Sequence, residues 1–436
     1  MRLSVPCNFD EELIQGLDGY PVYEVFGKVS ADFAGGGRPS WYLPRAGRAD
    51  VERFVACAHA AGIEFNYLLN AMCMGNTELT REGQRNLRET LDWVCEIGCD
   101  SVTVANLLLL QLIKRCYPGI KVRISAHRFT DSPRKARFWE EHGADCIVLN
   151  ETASHREFEL LAAIRESVSC DLSLIVNNSC RQDCAIAGTH ACALNHASQH
   201  QRGRRQAFPL DYHILFCLHY RLAHPVNYIR ANWIRPEDLH HYEAIGYHNF
   251  KIVERNTPTP VLLQRVHAYA NRHFDGNLFD LILPFQYPES AYTTRASRDA
   301  YSVRRAFMHF FSPRQVNVTR IPRLARLAKR MGLLYPRSGD APLRLDNRKL
   351  DGFIDRFLSR SCIDVDCEKC RYCHKVAAQT VEIDPQYRDE VMAAFDELFE
   401  DMNTGKFWEP SHREIATGLR EVGRAARSIV ERFVSH

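Results

Sequence analysis

The sequence predicts an α/β fold, a TIM-like (β/α) barrel followed by a C-terminal, largely helical extension that carries cysteines. Three observations lead there. Short β-rich runs alternate with longer stretches of helical periodicity through residue 260. Similar turn tripeptides, Ile97-Gly98-Cys99, His142-Gly143-Ala144 and Ile245-Gly246-Tyr247, each stand just before a strand candidate. No G-x-G-x-x-G follows the first strand, which removes the usual argument for an open dinucleotide-binding sheet and favours closure.

The strand candidates, in order, are Leu3 to Pro6, Val22 to Phe26, Glu64 to Leu69, Ser101 to Ala105, Lys121 to Ala126, Cys146 to Asn150, Asp171 to Val176, Asn227 to Asn232 and Phe250 to Val253. Between them, Arg81 to Ile97 places Leu87, Leu91, Val94 and Cys95 on one helical face, with Thr80 as its cap. Ser154 to Ser167 and Pro236 to Ala244 repeat the strand-then-helix rhythm, and Gly35-Gly36-Gly37-Arg38 reads as a flexible loop between the first units. Further helices are expected over Val261 to Asn271, Arg304 to Phe310 and Ile321 to Met331, with Phe279 to Leu283 a short strand or helix fragment. Residues 332–350, rich in Pro, Gly and charge, read as a linker or extended arm, and Asp384 to Asn403 and His412 to Val434 as a closing helical pair. The expected organisation is a barrel over 1–260 with a first cysteine group, a helical extension and linker over 261–350, and a second cysteine group with C-terminal helices over 351–436.

In a barrel, catalytic groups gather where the strands end at their C-terminal face. That rule singles out Asn70, Asn106, His127, Arg128, Asn150, Glu151, Asn177, Asn178, Asn232 and Glu254. Asparagines at strand ends also satisfy loop backbone groups, so a shared polar cavity needs only some of them.

With 436 residues the chain has ample core and needs neither metal nor disulfide merely to fold. Its 56 basic and 53 acidic residues leave a formal charge of +3, so no overall field recruits nucleic acid or anionic lipid. The start lacks a signal-peptide pattern and no apolar run is long enough to cross a bilayer, which points to a soluble, cytoplasmic protein without membrane insertion.

Sixteen cysteines are many for such a chain, and eight of them fall in two groups. In the first, Cys180, Cys184, Cys192 and Cys217 are separated by three, seven and twenty-four residues. A thiolate set beginning at a barrel rim can hold a cuboidal iron-sulfur cluster or a tetrahedral zinc, and the irregular spacing suits the cluster somewhat better. His190, His196 and His200 stand close by in sequence as substitute ligands. The second group, Cys362, Cys367, Cys370 and Cys373, contains C-x2-C-x2-C, the opening of a ferredoxin-type motif without its usual completion. Its expected occupant is a second [4Fe-4S] cluster or zinc, with His374 as another ligand candidate.

The run from Asn177 to Cys184, followed by Cys192 and Cys217 and then by the segment Trp233 to Thr259 with its W-I-R-P-E-D, Y-E-x-I-G and F-K-I-V-E-R elements, resembles the peptidase U32 family over roughly residues 1–260. The resemblance implies a barrel whose four cysteines, here Cys180, Cys184, Cys192 and Cys217, hold a [4Fe-4S] cluster. For activity it implies several classes. The family takes its name from collagenase-like proteases, while other members support hydroxylation of ubiquinone precursors without dioxygen, or hydroxylation of a ribosomal RNA base. Prephenate is implicated as an oxygen source in part of that group.

The leading expectation is an oxygen-independent redox enzyme, hydroxylation among its candidate reactions, acting on a small anionic or aromatic metabolite and served by an electron donor or a related subunit. Arg230, Arg235 and Lys251 would hold acidic groups of the substrate, and His127, Glu151 and Glu254 would move protons. Arg235-Pro236-Glu237-Asp238 doubles as a helix start. A U32-type peptidase is the alternative, although neither H-E-x-x-H nor G-x-S-x-G is present. An RNA-modifying enzyme or a non-catalytic subunit of a U32 complex is a further one, RNA contact resting on Arg202-Gly203-Arg204-Arg205 and the basic run Arg314 to Arg330.

Overall fold

Eight parallel strands close on themselves in sequence order: β1 (Arg2–Pro6), β2 (Val22–Gly27), β3 (Glu64–Leu69), β4 (Ser101–Val104), β5 (Lys121–Ile124), β6 (Cys146–Val148), β7 (Asp171–Ile175) and β8 (Asn249–Lys251). Closure is made where Arg2, Leu3 and Ser4 pair with Asn249, Phe250 and Lys251. The computed structural model describes residues 1–199, 210–294, 310–333 and 336–410. The expected helices Arg304 to Phe310 and His412 to Val434, and the basic run at Arg202 to Arg205, lie wholly or almost wholly outside those residues.

The helices α1 (Glu11–Gly16), α2 (Arg48–Ala60), α3 (Arg81–Glu96), α4 (Leu107–Cys116), α5 (Pro133–Glu141) and α6 (Phe158–Ser167) each follow one of the first six strands. Local sequence explains their starts. Thr80 accepts from the Gly83 N–H at 3.0 Å, and Asn106 accepts from Leu108 and Leu109. Leu87, Leu91 and Val94 of α3 are buried as their spacing demands, whereas Cys95 is exposed, one position past the edge of the apolar stripe.

Eight of the nine strand candidates form the barrel. The ninth, Asn227 to Asn232, is instead a helical turn, Val226–Ile229, preceded by Pro225 already in helical conformation. Its apolar residues Tyr228 and Ile229 are buried, so the sequence signal was burial rather than extension. β5 and β6 each end two residues before the expected boundary, so the 126–128 turn and Asn150-Glu151 stand in the loops at the barrel's C-terminal end.

Phe279–Ile282 is a helical turn, and the expected linker also has structure of its own. Leu343–Leu345 (β9) pairs antiparallel with Val381–Ile383 (β10), Leu343 and Leu345 pointing into the core. One connected core runs from Leu3 through the barrel to Phe407, so the extension packs on the barrel through buried side chains. No helix among the described residues is long and apolar enough to cross a membrane.

Candidate active site at the barrel mouth

A cavity of about 360 Å³ opens at the C-terminal ends of the strands, a size suited to a small ligand or to part of a larger one. Among its walls are His127, Glu151, Lys251 and Glu254, so four of the six expected catalytic residues meet there. Asn70, Asn177 and Asn178 line it too. The last two act as braces. Asn177 accepts from the Val253 N–H at 2.8 Å, and Asn178 accepts from the Cys180 N–H at 2.9 Å.

The strongest polar contact in the cavity involves a residue read from sequence as loop. Arg38 donates to both carboxylate oxygens of Glu254, at 3.0 and 2.5 Å. Burial alone would raise the Glu254 carboxyl, but the guanidinium beside it wins and holds the acid below its ordinary range. The glycines before Arg38 are part of the construction rather than a slack linker. The Gly36 N–H donates to Ser198 Oγ at 2.7 Å, Asn195 Nδ2 donates to the Gly36 carbonyl at 2.9 Å, and a Cβ on Gly37 would stand 2.7 Å from His127 Cε1.

The remaining titratable groups are set by burial. Lys251 is lowered to about 8, chiefly by desolvation; its ammonium lies 3.3 Å from the Phe26 ring centroid and, among the described residues, makes no ion pair. Arg255 is lowered to about 10 by burial and by Arg38. His127 is lowered to about 3 by burial, then by Arg38 and His190, so it stays neutral in ordinary buffers. Glu151 is raised by burial, with Arg38 and His190 pulling the other way, and its Oε2 is buried without a partner. The mouth therefore gathers Arg38, Lys251, Arg255 and Arg221 against Glu254 and Asp211.

Three of the first four cysteines share this cavity. Cys180 and Cys184 lie on the loop after β7, and Cys217 on the helix Tyr212–Ala223. One helical turn beyond Cys217, buried Arg221 senses the charge of all three thiols and donates to the Ser179 carbonyl. The i,i+4 spacing of Cys217 and Arg221 was the signal for this residue, which sequence reasoning passed over. Cys192 is not among the residues that line the cavity, although its neighbour Ala191 is. His190 pairs with Asp211 at 2.8 Å. Among the described residues no three His, Cys, Asp or Glu side chains converge at distances suited to a single metal ion.

Two expected substrate-binding arginines are elsewhere. Arg230 ends the helical turn that replaced the ninth strand and reaches Glu368 at 3.2 Å. Arg235, 2% exposed, donates to Asn347 Oδ1, the Leu350 carbonyl and Asp351, fastening the 346–351 segment to the barrel. Both charges found protein partners in the extension, which a reading confined to the barrel could not include.

A closed parallel barrel with its charged groups collected at the strand C-termini is the architecture of TIM-barrel enzymes. Residues 45–246 match the family described as peptidase family U32, a little under half of the chain. The chain is 28% identical over 354 residues to an uncharacterized protease, MJ1657, of Methanocaldococcus jannaschii, covering 81% of this chain and 87% of that one. It is 22% identical over 160 residues to the tRNA hydroxylation protein P1 of Bacillus subtilis, 36% of each chain. Among solved structures, the U32 peptidase Mk0906 matches with a TM-score of 0.43 and 21% identity, covering 58% of this chain and 93% of that one.

Proposed function

We propose that this chain is a U32-type enzyme whose reaction takes place in the barrel mouth on a substrate presenting an anionic group, and that peptide-bond cleavage is the first activity to seek. The observation that carries this reading is the buried Lys251 ammonium, which lines the cavity without a carboxylate partner. An uncompensated buried cation is costly, and a substrate carboxylate entering the cavity would relieve it. The family description and the name of the archaeal relative support the choice of a peptide substrate.

The proposed division of labour follows from the geometry. Lys251 and Arg255 anchor the anionic end of the substrate. Glu151, its carboxyl biased toward the protonated form, exchanges a proton with the leaving amine and an attacking water. Arg38 is held by Glu254 and points its charge at the oxygen where negative charge develops. Neutral His127 donates or accepts a hydrogen bond without titrating.

A second reading is favoured by one observation, the three thiols grouped around Arg221 on the same cavity wall. Cys180, Cys184 and Cys217 have the chemistry to hold an iron-sulfur cluster, and Arg221 would offset its negative charge. Such a cluster would supply one-electron or Lewis-acid chemistry. The fourth expected ligand, Cys192, is not among the residues that line the cavity.

Both readings are tested together on protein prepared without oxygen. Cleavage of a panel of acidic peptides is followed by mass spectrometry, beside iron and sulfide determination. Hydrolysis that falls at least about 100-fold in kcat on Glu151→Gln, with KM nearly unchanged, supports the peptidase. Iron with sulfide that disappears in Cys184→Ala, without any peptide cleavage, replaces it with the redox reading.

A further inference from the structure

The second cysteine group is not used by the barrel mouth, yet it is assembled against the barrel. Cys362 begins the segment, its N–H donating to Glu157 Oε1 at 3.0 Å while Ser361 Oγ donates to Glu157 Oε2 at 2.6 Å. Cys367 and Cys370 bound a single helical turn capped by Asp366. Arg371, at φ 56°, then reverses the chain so that Cys373 opens the next helix facing the same region. Backbone bonds hold the segment in its turns: the Val365 N–H donates to the Cys362 carbonyl at 3.2 Å and the Arg371 N–H to the Cys367 carbonyl at 3.0 Å.

Three arginines surround these thiols. Arg356 Nη2 donates to Cys370 Sγ at 2.9 Å, and Arg230 Nη2 lies 3.5 Å from Nδ1 of His374, the residue after Cys373. Arg156 is the decisive one. It is 2% exposed and sandwiched against Trp233, Phe353 and Phe357, with its guanidinium 4.5 to 5.3 Å from their ring centroids. Only Nη1 is satisfied, by the Ile229 carbonyl at 2.6 Å, while Nε and Nη2 are buried without a partner. Phe353 and Phe357 in turn pack on the ring of Tyr372, the chain neighbour of Cys373, with centroids 5.7 and 6.1 Å apart. A buried guanidinium with two empty donors requires an anion nearby.

We propose that Cys362, Cys367, Cys370 and Cys373 hold a metal centre through four thiolates, and that this centre fastens the C-terminal extension to the barrel. Four thiolates around zinc, or around a four-iron cluster, leave a net negative charge. Arg156, Arg230 and Arg356 supply its compensation from three different segments of the chain. The thiols must draw together on binding, since no three ligating side chains among the described residues stand at single-ion distance. Exposed Cys367 has room for that movement.

The centre is also coupled to the cysteine loop of the mouth. Gln182 Nε2 donates to the same Glu157 oxygen that receives the Cys362 N–H, the Gln182 N–H donates to the Arg230 carbonyl, and the Asn232 N–H donates to the Cys180 carbonyl. Ordering of the extension is thereby transmitted to the loop that carries Cys180 and Cys184.

The test uses the full chain purified without oxygen. Zinc, iron and acid-labile sulfide are measured in wild type, in the double variant Cys370→Ala/Cys373→Ala and in Cys184→Ala. In parallel, the rate of iodoacetamide labelling of each cysteine in wild type is followed by mass spectrometry. The expected result is about one zinc, or about four irons with sulfide, lost from the double variant and retained in Cys184→Ala. Zinc without sulfide and iron with sulfide both uphold the site and decide its occupant. The four thiols should also label at least about ten-fold more slowly than exposed Cys95 and Cys116 until a chelator or an oxidant strips the metal. Metal content unchanged in the double variant, or wild-type labelling of the four at the rate of Cys116, overturns the proposal. The labelling measurement keeps it falsifiable even where the variants fail to fold.

Discussion

The barrel mouth and the C-terminal cysteine segment use the same materials, thiols grouped with arginines; each has one deep arginine, and they differ in how far the partners around it are exposed. At the mouth, Arg221 among Cys180, Cys184 and Cys217 is 5% exposed, and Arg38 and Glu254 are paired inside a cavity. In the extension, Cys367 is exposed and the Arg230–Glu368 pair has a glutamate that is 67% exposed. The difference teaches that residue type does not set the energetic weight of a charge here; the depth of the wall behind it does. A deep charge needs a built partner or an incoming ligand, whereas water serves a shallow one.

The comparison breaks most readily at Arg38. Replacing it with Met removes the bidentate partner of Glu254, a carboxylate 11% exposed, and should cost about 1–3 kcal/mol in urea melts. Adding Glu254→Gln should restore a large part of that loss. If the double variant is no more stable than Arg38→Met alone, the pair is not the unit described.

Lys251 tests the same depth with opposite sign. Its pKa is lowered to about 8, below the ordinary lysine value of about 10.4, so the unfolded chain binds the proton more readily between those two values. Stability should therefore rise as pH increases from about 8 to about 10, and below about 8 the full penalty is present. Lys251→Met should gain about 2–3 kcal/mol at pH 7 and lose this part of the pH dependence. A pH-stability curve that is the same in wild type and Lys251→Met would refute the assignment.

A smaller effect is expected at Gly37, where an added Cβ meets His127 Cε1 at 2.7 Å. Gly37→Ala should destabilise by about 1–3 kcal/mol and disturb the mouth more than the extension, which site-resolved hydrogen exchange would show. Smallest of all, Arg230→Ala should change metal-free stability by less than about 1 kcal/mol, because its partner is solvated. A loss comparable to that of Arg38→Met would erase the distinction between the two regions.

Much of the barrel was legible because β-runs and their following helices carry local signals, such as the Thr80 cap and the β-rich run that ends at Leu69. His127, Glu151 and Glu254 were legible through the rule that strand C-termini face the site, and Lys251 only as a charge on a strand. Arg38 was not, because a glycine triplet signals freedom in one dimension, while its packing under Asn195 and Ser198 depends on residues more than 150 positions away. The partners of Arg230 and Arg235 were hidden for a similar reason, lying in the extension at Glu368 and Asp351. The buried run Asn227 to Asn232 shows that apolar content alone does not separate a short strand from a helical turn.

The most direct test of the central claim, that the barrel mouth is built for an anionic substrate group, is calorimetric titration with a panel of small mono- and dicarboxylates on wild type, Lys251→Met and Arg230→Ala. Binding in wild type that weakens at least about ten-fold in Lys251→Met and is unchanged in Arg230→Ala is the expected result. Equal affinity in wild type and Lys251→Met, or no carboxylate binding in either, would contradict it.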